Sequence, residues 1–216
     1  MNLEIIHTAP AMLATSERLL LYALIYGLRP QRCLEIGTAR GGSALIICAA
    51  LDQLGSGHLV IVDPSPQIAP EDWARMAHRA ILIAQPSPEA LLQAFNLTKS
   101  PFDFVFIDGN HGFEYVLKDI EGVLPFLQEG GYILLHDAHY FEVAEAIEVA
   151  LQRHPELIDC GMIAREANVT ENFYKGQRVV WAGFRLLRFC PKPAKRLRES
   201  LRARLAQWFP CGEKRR

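Results

Sequence analysis

Five short apolar runs alternate with segments of helical periodicity along this chain, and that alternation limits it to few folds. The runs cover residues 32–37, 58–62, 80–84, 102–107 and 132–135. Short, continuously apolar runs suit strands buried on both faces, which occur in parallel sheets covered by helices. Helical spacing falls between them, at 12–28, 44–54, 71–78, 88–95, 114–126 and 141–153. Repeated strand–helix alternation predicts an α/β fold: one doubly wound, mostly parallel sheet with helices on both faces, in a single domain.

Local signals place the boundaries. Ser43 can cap the helix that starts at Ala44, and Gly55 can end it. Pro88 and Glu89 fit the first turn of the next-but-one helix. Gly130-Gly131 would close the helix at 114–126, and 178–187 alternates loosely enough for an edge strand or pair. In the first helix Glu17 and Arg18 fall outside the apolar stripe. The domain is expected to fill residues 1–190. Residues 191–216 carry nine Lys or Arg against two Glu, so a +7 tail adjoins a −8 body. Within it, 194–208 reads as an amphipathic helix whose apolar positions would suit a homodimer contact.

Composition excludes several classes. No apolar run reaches the roughly 18 residues needed to span a bilayer, so no transmembrane segment is expected. The first ten residues lack a basic region and a cleavage site, which favours a cytoplasmic protein. Five scattered cysteines without a CxxC pair suggest neither a zinc ribbon nor a disulfide framework. No aromatic-interleaved basic patch lies near the strand ends, so sequence-specific nucleic-acid recognition is not expected.

In an open α/β sheet ligands bind beyond the carboxyl ends of the strands. Four of the five strands end there in polar residues or glycine: Glu35 and Gly37, Asp63, Asp108, and His136-Asp137. The turn Gly37–Gly42 lets backbone pass close to a ligand, with a helix amino terminus behind it. Asp63 ends the next strand, 22 residues after Gly41, where a carboxylate typically holds ribose hydroxyls. That ribose belongs equally to a dinucleotide and to an adenosyl cofactor. The turn reads E-I-G-T-A-R-G-G rather than G-x-G-x-x-G, with an acid before the first glycine. A carboxylate there repels a pyrophosphate and suits a sulfonium and an ammonium, so S-adenosylmethionine is the favoured ligand. Arg40 could neutralise Glu35, and a nicotinamide oxidoreductase or a non-catalytic adenosyl-binding protein remains an alternative.

With L-E-I-G-T-A-R-G-G-S, V-I-V-D, F-D-F-V-F-I-D-G-N-H-G-F-E-Y-V-L-K-D and G-G-Y-I-L-L-H-D in place, the chain resembles the class I S-adenosylmethionine-dependent methyltransferases. The resemblance is to the catechol-type and cephalosporin-hydroxylase-like small-molecule O-methyltransferases, and it covers roughly 14–138. It implies a Rossmann-like, seven-stranded sheet and methyl transfer to a small hydroxylated substrate. It also implies that Glu35, Gly37, Thr38, Gly41 and Ser43 shape the methionine end of the cofactor pocket. Asp63 would take the ribose, Ser87 the adenine, and Asp108 the sulfonium end. His111, three residues after Asp108, stands where catechol-type enzymes place a catalytic lysine, and its ordinary pKa of about 6.5 would suit a base. Asp108 and Asp137 match two carboxylates that hold a divalent ion, magnesium or manganese, in metal-dependent members. His136 would be the third ligand, because Ala138 replaces the family's amide, with Asn110 or water as other candidates.

Overall fold

The structure, a computed structural model, describes residues 3–191. The basic tail, and with it the expected terminal helix, lies outside the described residues.

A seven-stranded sheet forms the centre. Its first five strands are β1 (Arg32–Ile36), β2 (His58–Val62), β3 (Ala80–Ile83), β4 (Phe102–Ile107) and β5 (Leu127–Leu135). They pair in parallel in the order β3-β2-β1-β4-β5. Chain order reverses between β1 and β4, which opens a crevice at their carboxyl ends. After β6 (Leu157–Ala164) the chain forms a separate antiparallel pair, β7 (Asn168–Tyr174) and β8 (Gln177–Trp181). It returns as β9 (Phe184–Phe189), which inserts antiparallel between β5 and β6. The loosely alternating stretch 178–187 is therefore half of a small hairpin and half an interior strand, and β6 takes the sheet edge.

Both faces of the sheet are covered. On one, α5 (Leu91–Thr98), α6 (Phe113–Val123) and α7 (Phe141–Arg153) pack on Leu34, Ile36, Val60, Val62, Val105 and Ile107. On the other, α1 (Glu4–Thr8), α2 (Thr15–Leu28), α3 (Gly42–Leu54) and α4 (Pro70–Met76) pack on Cys33, Leu59, Ile61, Phe104 and Phe106. This is the period-two alternation of a strand buried on both sides. Among the described residues no helix is long and apolar enough to cross a membrane.

Three local expectations need correction. The helix foreseen at Pro88 begins at Leu91, and residues 88–90 form a turn in which Leu91 N–H donates to the Pro88 carbonyl. Gly130-Gly131 does not close a helix: β5 already starts at Leu127 and runs through the pair. A Cβ at Gly131 would lie 2.9 Å from the Gln128 carbonyl oxygen and 3.2 Å from that of Asp103, where the β4–β5 register shifts. Ser43 is not a cap, because α3 starts at Gly42 behind Gly41 in the left-handed region (φ +79°).

Arg18 fixes the segment that precedes α2. Its guanidinium donates to the carbonyls of Ile6, Ala9, Ala11 and Leu13. This pins residues 9–13 as a strap across the start of α3. A Cβ on Gly42 would come within 2.1 Å of the Ala11 nitrogen, so glycine is required where strap and helix meet.

Candidate active site

A cavity of about 440 Å³ opens over the tips of β1, β2 and β4. Gly37, Thr38 and Ser43 line it from the first turn, Asp63 from β2, and Ser87 from the loop after β3. Asp108, Asn110 and His111 follow β4, while His136 and Asp137 follow β5. The strap contributes Pro10, Ala11, Met12 and Leu13, and Met12 is 81% exposed at the mouth. A space of this size and mixed lining is of the kind that holds a cofactor.

Close backbone approach shapes the first turn. Gly37 sits at φ +81°, and a Cβ there would lie 2.3 Å from the Asp108 carbonyl oxygen. Gly37→Ala is therefore expected to destabilise the protein by roughly 2–5 kcal/mol, from left-handed strain plus a clash with backbone. Urea denaturation measures it, and a loss within error would contradict this packing.

Two of the turn's expected cofactor contacts lie elsewhere. Glu35 is fully buried and shares the Cys33 face of β1, so its side chain points toward α3 and does not line the cavity. Ser43 donates to one of its oxygens and Thr38 Oγ1, at 3.4 Å, to the other. Burial pushes Glu35 up to about 8 against the pull of those bonds. It is thus neutral near pH 7 and presents no carboxylate to a ligand, and the repulsion inferred for a pyrophosphate loses its source. Gly41 likewise lies outside the lining: a Cβ there would meet Ile68 and Met76 at 3.1–3.2 Å. Its neighbour Gly42 faces the cavity instead.

Asp63 is where the sequence placed it, and it also orders the loop. One oxygen accepts N–H bonds from Thr38 (2.9 Å) and Ala39 (3.0 Å), and the other accepts from Ser65 (2.7 Å). Oδ2 thus accepts two bonds and Oδ1 only one, so Oδ1 keeps capacity for a ligand hydroxyl. Ser87 lines the cavity together with Asp119, whose carboxyl burial pushes up to about 6. Tyr115 is exposed at the cavity rim.

At the far end Asp108, His111, His136 and Asp137 converge, each offering one ligand atom within 4.8 Å of the others. His136 Nδ1 lies 2.9 Å from Asp108 Oδ1 and 3.4 Å from Asp137 Oδ2. His111 Nε2 lies 3.0 Å from Asp137 Oδ2 and 3.4 Å from Asp108 Oδ1. Two further atoms of the cluster face other parts of the fold. Asp137 Oδ1 accepts the Ala182 N–H, while His136 Nε2 faces Glu17 Oε2 at 3.5 Å. Asp137 itself holds a left-handed backbone (φ 51°), a strained conformation of the sort found where function overrides local preference.

This arrangement corrects the reading of His111 as a free base. Burial pulls its pKa down, but the carboxylates of Asp108 and Asp137, 3.4 and 3.0 Å away, overcome that and leave it at about 9. His136 is treated alike: burial lowers it, Asp108, Glu17 and Asp137 raise it, and the outcome is about 10. Burial raises Asp108, yet the two imidazoles bring it below its ordinary value. Two carboxylates are thus balanced by two imidazolium protons, which a divalent cation would displace. The donor set fits such a cation: four atoms converge, and backbone and Glu17 fix the orientation of two of them. Asn110 lines the same cavity, with its Oδ1 accepting the Gly112 N–H at 2.9 Å. The fourth group of the cluster is His111.

Glu17 is the residue that sequence reasoning misplaced. It is fully buried, its Oε2 accepts the Ala14 N–H at 2.8 Å, and its Oε1 accepts the Gly183 N–H at 2.7 Å. A capping-box pattern would have pointed to it, but the N-cap is Ala14 and not Ser or Thr. Trp181 was also overlooked; its ring meets His111 edge-on at 5.5 Å and stacks on Tyr140 at 4.5 Å.

Solved structures share this architecture. An O-methyltransferase from Bacillus cereus in complex with SAH superposes with a TM-score of 0.63 at 19% identity, over 86% of this chain and 89% of that one. The O-methyltransferase TomG from Streptomyces achromogenes, involved in tomaymycin synthesis and described in complex with SAM, gives 0.65 at 17%, over 88% and 92%. The fold is that of the Rossmann-like class I methyltransferases. Residues 34–138 match the family described as a methyltransferase domain. Rhamnosyl O-methyltransferases of Mycobacterium tuberculosis and Mycobacterium bovis are 24% identical over 116 residues, 52% of this chain and 47% of theirs. The chain spans about half the length of the curated relatives it matches.

Proposed function

We propose that the protein transfers the methyl group of S-adenosylmethionine to a hydroxyl of a small-molecule acceptor. The observation that carries this reading is the open cavity at the tips of β1, β2 and β4, which ends at the cluster of two carboxylates and two imidazoles. Gly37, Thr38 and Ser43 line the end assigned to the methionine part, with Glu35 and Gly41 shaping that turn from behind. Asp63 accepts from the ribose while holding its loop, Ser87 borders the adenine, and Asp108 stands at the sulfonium end. Residues 1–190 form the catalytic unit on this reading, with 191–216 as a basic appendage.

The cofactor supplies a carbon already activated for in-line displacement, so the protein must align the acceptor and manage one proton. Asp108, His111, His136 and Asp137 would hold a divalent cation, whose Lewis acidity lowers the pKa of an acceptor hydroxyl. Two nitrogen donors favour manganese over magnesium. Without the cation, His111 and Asp108 would be the proton-handling pair instead: they share the cluster's protons and border the cavity where the hydroxyl must lie.

S-adenosylmethionine or its demethylated product at 100 times its dissociation constant should add about 2.7 kcal/mol of stability, and NAD should add none. Thermal melting reads the difference, and no shift with either adenosyl compound would remove this reading. Asp63→Ala should weaken cofactor binding by about 1.5–3 kcal/mol, the scale of a hydrogen bond to a charged group. Calorimetric titration measures it, and unchanged affinity would take Asp63 away from the ribose.

A further inference from the structure

A second cavity, of about 480 Å³, meets the first at His136 and Asp137, with Met12 and Leu13 of the strap bordering both. Its other walls come from elements outside the cofactor turn: Glu17 of α2, Glu166 and Asn168 beside the hairpin, and Trp181 at the end of β8. We propose that this cavity is the acceptor subsite and that it takes an uncharged ring compound bearing several hydroxyls. The proposal rests on the methyl-transfer reading and adds to it the place, the specificity residues and the charge of the acceptor.

Four observations carry it. First, a molecule here reaches the reactive end of the cofactor cavity, because the two spaces share the residues that close it. Second, Trp181 is a preorganised platform: Tyr140 stacks behind it at 4.5 Å with 19° between the rings, and His111 abuts it. A held indole face suits the apolar side of a ring and loses little freedom when one binds. Third, polar groups stand at the rim. Glu166 is held by the Ser16 hydroxyl at 2.8 Å, and Asn168 lies opposite Trp181 in the hairpin register. A carboxylate and an amide at a rim accept and donate to hydroxyls remote from the one that reacts. Fourth, the lining is predominantly negative. Three carboxylates, Glu17, Asp137 and Glu166, line the space against one imidazole, His136, and none of its described lining residues is Lys or Arg. An acceptor carrying its own carboxylate or phosphate would enter against this excess of negative charge, since the one imidazole already lies 2.9 Å from Asp108.

The test uses the full chain saturated with S-adenosylhomocysteine and four probes: a methyl glucoside, the matching methyl glucuronide, catechol and dihydroxybenzoate. Crystals soaked with each should show the neutral rings in the second cavity against Trp181. NMR titration should give at least about tenfold weaker binding for each acid than for its neutral partner. Glu166→Gln, an exposed substitution, should narrow that ratio to about threefold or less. Trp181→Ala should weaken both neutral rings about tenfold or more and leave S-adenosylhomocysteine affinity as it was. Neutral rings found elsewhere or not at all, acids bound equally well, or a ratio unmoved by Glu166→Gln would each overturn the proposal. Failure of S-adenosylhomocysteine itself to bind would instead overturn the methyl-transfer reading beneath it.

Discussion

Replacing Glu17 with alanine is expected to destabilise the protein by about 3–5 kcal/mol, the cost of removing one partner from a buried charged network. The side chain sits in no solvent-exposed salt bridge. It joins three separate parts of the fold: the Ala14 N–H at the start of α2, the Gly183 N–H before β9, and His136 Nε2 after β5. Alanine leaves the buried Gly183 N–H without an acceptor, worth about 1–3 kcal/mol, and the part-buried Ala14 N–H as well. It also removes the carboxylate that faces His136 Nε2 at 3.5 Å, on the far side of the ring from the Nδ1 aimed at Asp108. Glu17→Gln separates these effects. The amide can still accept one backbone N–H but carries no charge for the imidazole, so the stability loss should be smaller. Manganese affinity should still fall by about 10–100-fold, as for other groups that orient a metal ligand. Urea denaturation and manganese titration measure the two. Equal manganese affinity in wild type and Glu17→Gln would show that Glu17 only holds backbone together.

Much of this was legible in the sequence because strands buried on both faces announce themselves as short apolar runs. The five parallel strands fall where those runs lie, and the acids that follow β2, β4 and β5 border the cavity. Glu35 illustrates the limit. Period-two alternation says that it shares a face with Cys33 and opposes Leu34 and Ile36, but both faces are apolar. Only the position of α3 decides that this face is internal, and helix placement is a tertiary fact. The misreading of His111 has a related origin. Its spacing from Asp108 is local, but its pKa is set by Asp108 jointly with Asp137, which β5 delivers from 26 residues further on. Gly130-Gly131 looked like a helix stop because glycine also marks close backbone approach within a sheet, and local sequence does not distinguish the two. Glu17 and Trp181 were invisible for the same reason: their partners lie far away in the chain, at Gly183 and His111.

Substituting Asp137 is expected to remove whatever activity depends on a divalent cation, and the alanine and asparagine variants should differ in an informative way. The two oxygens of Asp137 do separate tasks. Oδ1 accepts the buried Ala182 N–H, which anchors the turn before β9, and Oδ2 faces both imidazoles. Alanine deletes both tasks: it should cost about 1–3 kcal/mol for the orphaned N–H and lower manganese affinity by on the order of 100-fold or more. Asparagine can keep the Ala182 bond through its carbonyl oxygen, and it tolerates the left-handed backbone that Asp137 occupies. Its stability should stay near wild type while manganese affinity falls almost as far as in alanine, because the carboxylate charge is gone. The cluster's chemistry also orders the metals. With two imidazoles in the set, manganese should restore a chelated enzyme at lower concentration than magnesium. Paired measurements of manganese binding, urea stability and methyl transfer in both variants distinguish a cation site from a purely ionic cluster. Undiminished methyl transfer by wild type in excess chelator would assign the cluster to proton handling alone, with Asp108 and Asp137 acting only to hold the two histidines in place.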